Sequence, residues 1–275
     1  MNSINDNEWV TTAVLLAAGT GSRLYPLTED APKCFTLVNG VSILERLVIC
    51  LEQHGFERLI VVTGHLEKSI REVLGSRAQG MVVDYVFSPL YKTTNNIYSL
   101  WLACKIINEP FLLVESDLVF DASLLDDMLY PDRIAIASMQ PSMNGSTVRL
   151  DKLQKVTRFQ NGIDGSSDEV RYKTVNIYSF SLSSWHAIAE RLDQHIKAGK
   201  VNSYYETVLA EMVAENSLSL QAVSFDSKRW CEIDTIEDLA EAEKLFAAER
   251  YTTRINRSRS VQGHTRKTTP TFKVD

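Results

Sequence analysis

Residues 12–18, Thr-Ala-Val-Leu-Leu-Ala-Ala, form an unbroken apolar run that stops at Gly19. A strand covered by helices on both faces reads this way, because neither face needs polar side chains. Ser42 and Glu45 stand at capping-box spacing ahead of Ile43, Leu44, Leu47 and Leu51, which predicts a helix start. Segment 58–63 predicts a second buried strand, 67–74 a short helix and 82–87 a third strand. Ile97, Leu100, Trp101 and Cys104 fall at i, i+3, i+4 and i+7, the spacing of a helix with one apolar face. Segment 111–114 predicts a fourth strand running into Glu115-Ser116-Asp117. Strands alternating with helices at this spacing predict an α/β fold: a Rossmann-like, doubly wound, mixed but mostly parallel sheet.

The pattern changes after Arg133. Segments 133–138, 146–150, 154–159 and 171–180 predict strands, with Asn-Gly turns at 144–145 and 161–162. They suggest an antiparallel insertion lying over the sheet and the active site. Helices are predicted at 182–197 and 203–214, a strand at 219–225 and a last helix at 235–248. The division that follows is a polar head at 1–11, one domain at 12–249 and a basic tail at 250–275. That tail loses apolar periodicity and reads as a disordered segment or linker.

Composition narrows the classes. With 275 residues, 44% of them hydrophobic, the chain can build one large core. A net charge of −6 argues against sequence-independent nucleic-acid binding, which rests on neutralising phosphates with Lys and Arg. A small polyanionic substrate needs only a few local cations. Cys34, Cys50, Cys104 and Cys231 make no C-x-x-C pair, so free, buried thiols in a reducing compartment are expected. The acidic start is unlike a signal peptide, and no apolar run reaches ~18 residues. The expectation is a cytoplasmic protein with neither membrane nor nucleic acid as partner.

The candidate chemistry begins after the first strand. Leu16-Ala17-Ala18-Gly19-Thr20-Gly21-Ser22 leads to Arg23 and Leu24, with Pro32-Lys33 further on. Glycines at such a turn let backbone N–H groups approach a polyphosphate. The third glycine of a dinucleotide fingerprint would fall at Leu24, and no Gly-Lys-Ser/Thr follows, so neither that motif nor a P-loop is present. The string with its Pro-Leu-Thr and Pro-Lys resembles the signature of the sugar-phosphate nucleotidyltransferase superfamily. The resemblance implies that Leu16, Ala17, Ala18, Gly19, Thr20, Gly21 and Ser22 bind the nucleotide, with Arg23 and Lys33 as catalytic cations.

Asp117 and Asp234 each follow an apolar segment. Each alone also fits a turn residue or helix cap. Ligands of open α/β sheets bind beyond the carboxyl ends of strands, and two carboxylates meeting there can hold Mg²⁺. The resemblance implies that Asp117 and the Asp234 of Glu-Ile-Asp-Thr are the metal ligands, with Glu115 supporting Asp117.

The run Asn95-Asn96-Ile97-Tyr98-Ser99 is similar to that of phosphocholine and phosphonate cytidylyltransferases. Asn amides offer donor and acceptor together, which suits a cytosine edge, so Asn95, Asn96 and Ser99 are expected nucleotide contacts. Capping by either asparagine is the alternative. Met143-Asn144-Gly145-Ser146, Tyr172-Lys173-Thr174-Val175-Asn176-Ile177-Tyr178 and Tyr204-Tyr205-Glu206 narrow the resemblance to phosphonate cytidylyltransferases. Lys173 would then hold the acceptor phosphonate as a point charge, with Asn176 orienting it. Tyr205 or Glu206 would meet an ammonium. Each of these residues also fits plain packing. Trp101 and Trp185 read as helix core faces rather than as a cage for a quaternary ammonium.

What the resemblance implies is Mg²⁺-dependent transfer of CMP from CTP to 2-aminoethylphosphonate or 2-hydroxyethylphosphonate. Pyrophosphate is released, and the partner is either a second copy or a phosphonate-pathway enzyme. The alternatives are a cytidylyltransferase for phosphocholine or another small phosphate ester, a sugar-1-phosphate nucleotidyltransferase, and a non-catalytic nucleotide sensor. A phosphonate dianion needs no general base, which agrees with five histidines that form no triad and no ligand spacing.

Overall fold

The computed structural model describes residues 9–140, 143–161 and 170–247. Most of the head, Gly162 of the second Asn-Gly pair and the basic tail lie outside the described residues. In chain order, β1 (Thr12–Ala17) is followed by a small hairpin, β2 (Leu37–Val38) and β3 (Val41–Ser42), then by α1 (Ile43–Gln53). Next come β4 (Arg58–Thr63), α2 (Glu67–Leu74), β5 (Arg77–Ala78), β6 (Met81–Phe87), α3 (Asn96–Ala103), β7 (Phe111–Glu115) and β8 (Leu118–Phe120). The second half holds β9 (Arg133–Ser138), β10 (Ser146–Leu150), β11 (Val156–Asn161) and β12 (Tyr172–Phe180). It closes with α4 (Leu182–Lys197), α5 (Tyr205–Ala214), β13 (Gln221–Ser224), β14 (Trp230–Glu232) and α6 (Ile236–Leu245).

The centre of the sheet is parallel in the order β6-β4-β1-β7, with Thr12 flanked by Arg58 and Phe111. Side chains of β1 alternate between two cores. Ala13, Leu15 and Ala17 pack with Leu44 and Leu47 of α1 and Ile70 of α2. Val14 and Leu16 pack with Ile97 of α3, Trp185 of α4 and Leu209 of α5. Each Val or Leu buried this way stabilises by roughly 1.5–3 kcal/mol, and a polar side chain in β1 would have no wet face to turn toward. Ser42 caps α1 by accepting from the Glu45 N–H, as its spacing predicts.

The insertion differs from its expected place. It is antiparallel, but it continues the sheet instead of covering it: β12 pairs with β7, Ile177 opposite Val114, and β10 and β11 follow outward. The reason lies in β12, buried along both faces from Lys173 to Phe180, so that it cannot form an outer layer. Asn144-Gly145 joins β9 to β10, strands that each pair with β12, so it is no hairpin turn. The hairpin is β10–β11. Asp151 Oδ1 accepts from the Leu153 and Lys155 N–H groups there, which delays β11 to Val156.

Two short strands absent from the expected set decide where the site forms. β8 and β14 pair antiparallel, Leu118 opposite Glu232, and Ile233 N–H donates to the Asp117 carbonyl at 2.9 Å. A third small core of Leu24, Val38, Ile43, Val119, Ile233 and Phe246 binds this ladder and α6 to the segment after the glycine loop. Cys34 and Cys50 are buried, while Cys104 and Cys231 are half-buried, and no disulfide joins any of them. Trp101 is half-buried with its indole N–H on Asp193 at 3.3 Å, and Trp185 is core. No helix among the described residues is long and apolar enough to cross a membrane.

Candidate active site

Beyond the carboxyl ends of β1 and β7 lies a cavity of about 280 Å³. Its lining includes Leu16, Ala18, Gly19, Thr20, Gly21, Ser22, Arg23 and Lys33 from the first segment, and Asn95, Asn96 and Ser99 from the start of α3. Asp117 and Asp234 complete it, together with Glu115, Tyr91, Thr94, Ser116 and Tyr204. Ala17 is turned into the core beneath. Gly21 has φ +65°, and a Cβ there would sit 3.0 Å from Lys33 Cβ, so glycine is needed both for the turn and for the approach of Lys33. Thr28, fully buried, ties the turn by donating to the Gly21 carbonyl at 2.7 Å.

The floor is an ionic cluster of four side chains joined by three ion pairs. Lys33 Nζ lies 2.8 Å from Asp117 Oδ2 and 2.5 Å from Asp234 Oδ1, and Arg23 Nη2 reaches the same Asp234 oxygen at 2.7 Å. Burial opposes the Lys33 charge, but the Asp117 and Asp234 carboxylates outweigh it and hold its pKa above the ordinary value. The β8–β14 ladder brings the two aspartates together across 117 positions of sequence. Asp234 is then fixed by the start of α6, where Asp238 Oδ2 accepts from its N–H at 3.0 Å and from Thr235.

Below the wall lies a second group of charges. Lys173, buried, donates to the Thr174 carbonyl at 2.9 Å and pairs with Glu232 Oε2 at 3.3 Å. Burial pushes Glu232 above the usual carboxylate range, Lys173 pulling it back while Asp117 and Asp234 push it further. Glu115 is held well above that range by burial, then by Asp117, Glu206 and Glu232. Glu206 is pushed up to about 7 by burial, against the pull of its own backbone N–H, Lys173 and Asn96.

Lys173, Asn176, Tyr205 and Glu206 do not line the cavity; they are buried behind it. Asn176 sits at φ +58° where β12 shifts register, and its Oδ1 accepts from Thr174 Oγ1. An asparagine tolerates that backbone, which gives it a local structural task. Tyr205 packs edge-on to Tyr178, ring centroids 5.7 Å apart. Asn95 is the N-cap of α3, accepting from the Asn96 N–H at 2.8 Å, so capping is the reading its contacts support.

Sequence reasoning did not single out Tyr91 or Gly64, and it quoted Tyr204 in a motif without giving it a role. A Cβ on Gly64 would come within 2.6 Å of the Ala18 carbonyl and 2.8 Å of Tyr91 Cβ. Glycine therefore lets the end of β4 seat Tyr91 against the loop after β1. Gly64→Ala should raise the dissociation constant for nucleoside triphosphate about tenfold and, because the added methyl meets a backbone carbonyl, lower the melting temperature by several degrees, read by calorimetric titration and thermal melts. Unaltered nucleotide affinity would show that this approach does not shape the cavity.

Glu206 also predicts a pH effect on stability. It releases its proton at an ordinary value of 4.5 in the unfolded chain and at about 7 when folded. Between these values the folded form holds a proton that the unfolded form has lost, so this group's contribution to stability falls as pH rises and levels off above 7. Glu206→Gln should melt like the parent near pH 4 and at a higher temperature than the parent above pH 7. A difference that is the same at every pH would refute the linkage.

A glycine loop at the end of a parallel strand, opening on cations and paired carboxylates, defines an enzyme class that handles nucleotides by their phosphates. The chain belongs to the nucleotidyl transferase family, whose model matches residues 12–249. It is a nucleotidyltransferase. It is 30% identical over 253 residues to the CMP-5'-(3-aminopropyl)phosphonate synthase of Streptomyces rubellomurinus, across 88% of this chain and 40% of that protein. It is 28% identical over 237 residues to the 2-aminoethylphosphonate cytidylyltransferase of Lancefieldella rimae, across 84% of this chain and 91% of that one. Among solved structures, the CTP:phosphocholine cytidylyltransferase from Streptococcus pneumoniae shares the fold, with a TM-score of 0.74 at 21% identity over 86% of this chain and 99% of that one.

Proposed function

We propose that this enzyme transfers CMP from CTP to a small phosphonate such as 2-aminoethylphosphonate or 2-hydroxyethylphosphonate, releasing pyrophosphate. The observation that carries the reading is Lys33 bridging Asp117 and Asp234 on the floor of a cavity rimmed by the glycine loop. The two phosphonate relatives support the choice of base and acceptor. A phosphonate oxygen attacks the α-phosphorus of CTP as the bond to the pyrophosphate oxygen breaks. Arg23 and Lys33 hold the charge that gathers on the α-phosphate and the leaving group. We assign the acceptor to the side of the cavity whose wall is backed by Lys173, Glu206 and Glu232, which lie behind it.

Asp117 and Asp234 suit Mg²⁺. Both present carboxylate oxygens, they already share one cation, and Asp117 Oδ1 is buried without a hydrogen-bond partner. Among the described residues no cluster of three or more His, Cys, Asp or Glu could hold a metal, which fits an ion that takes its other ligands from phosphates and water. Bound there, Mg²⁺ supplies charge neutralisation at the phosphates.

Pyrophosphate release with Mg²⁺ and CTP, assayed against both phosphonates, phosphocholine and glucose-1-phosphate, tests the reading. Turnover with a phosphonate is expected. Turnover with phosphocholine alone, or CTP binding with no turnover on any acceptor, would overturn it.

A further inference from the structure

We infer that Asn96 is a positioning residue that fixes the acceptor side of the site against the Asp117 side, and that it reads no base. For its activity readout this inference rests on the proposed CMP transfer; its binding readout stands apart from it. Cytosine recognition by an asparagine needs the in-plane pair of Oδ1 and Nδ2. In Asn96 both are engaged inside the protein. Nδ2 donates to Glu115 Oε1 at 3.1 Å, and Oδ1 accepts from the Tyr205 N–H at 3.0 Å.

These two bonds join three elements that are distant in sequence. Asn96 is the first residue of α3, Glu115 the last of β7 and Tyr205 the first of α5. The start of α5 lacks a cap of its own, since Tyr204 at the N-cap makes no side-chain hydrogen bond to it. Asn96 therefore caps α5 from another helix, satisfying one of the amides a helix start leaves open. Its second bond holds Glu115, two residues before Asp117. One amide thus sets Tyr205 and Glu206 relative to the aspartate that faces the triphosphate side.

The contact can be reversed by design. Asn96→Asp keeps the shape and the acceptor for Tyr205, but removes the amide donor that Glu115 accepts from and adds a further acid to the cluster. Adding Glu115→Gln restores the bond with donor and acceptor exchanged. Kinetics with CTP and 2-aminoethylphosphonate would be measured on the parent, both single variants and the double variant, which closes the cycle. CTP and UTP affinities would be measured by calorimetry without acceptor. Asn96→Asp should lower kcat/KM for the acceptor by about 10- to 100-fold, the scale of a misplaced reacting group. It should leave the ratio of CTP to UTP affinity unchanged, and the double variant should recover most of the loss.

A collapsed CTP to UTP ratio in Asn96→Asp would make Asn96 a base reader and overturn the inference. So would a folded double variant that recovers nothing. Should Asn96→Asp not fold, Asn96→Ser tests the same affinity ratio by calorimetry. A parent enzyme inactive on every acceptor would sink the proposed reaction, while the affinity ratios would still decide the role of Asn96.

Discussion

Lys33→Met is expected to slow pyrophosphate release by about 10²–10³-fold, the cost of removing one preorganised charge-stabilising donor. Methionine keeps most of the stem that packs beside Gly21 and removes only the charge. The loss should fall on kcat more than on the KM for CTP, because the glycine loop and Arg23 still hold the triphosphate. The same change has a second consequence. Asp117 is 12% exposed at the side chain, and without Lys33 it loses its counter-ion, while Asp234 keeps Arg23. An uncompensated carboxylate this far from water costs on the order of 3 kcal/mol. Lys33→Met should therefore melt lower than the parent without substrates, and Mg²⁺ should restore more stability to it than to the parent. Combining it with Asp117→Asn should recover the melting temperature and leave activity low. A variant that keeps near-parent kcat would remove Lys33 from the chemistry, whatever its stability.

The parts of this site that were legible in sequence are those in which one short segment does the whole task. The 12–18 run gave a strand without a polar face, and the Gly-Thr-Gly turn with Arg23 beside it is a local device. Ser42 and Glu45 marked a helix start for the same reason. The meeting of Asp117 with Asp234 depends on β8 and β14, strands of three residues each. Their alternation is too short to show as periodicity, and their pairing is a long-range fact. The insertion failed for a related reason. Its strands carry the signature of antiparallel pairing, but that signature does not say whether the partner is another inserted strand or β7. Asn96 is the sharpest case. Its residue type and its place at a helix start agree equally with reading a base and with capping, and the partners at positions 115 and 205 on which the inferred positioning role rests are long-range contacts. Lys173 and Glu206 likewise read as open to a ligand, whereas both are buried behind the cavity wall and engaged with protein groups.

Asp117→Asn should cost about as much as Lys33→Met, on the order of 10²-fold or more in kcat, through a different loss. The change is nearly isosteric. Lys33 keeps Asp234 as its counter-ion, so the fold should melt within a few degrees of the parent. What disappears is the carboxylate whose Oδ1 is buried and without a partner in this structure, the oxygen best placed to face a cation. The Mg²⁺ concentration for half-maximal rate should rise about tenfold or more, and Mn²⁺ binding measured with CTP but without acceptor should weaken in parallel. Asp234→Asn makes the informative comparison, because Asp234 Oδ1 also holds Arg23. That variant should share the weakened metal dependence and, by freeing Arg23, change the KM for CTP as well. If Asp117→Asn keeps both its rate and its metal dependence, Lys33 is the only cation that Asp117 serves. The two aspartates would then act on the phosphates solely by orienting that lysine.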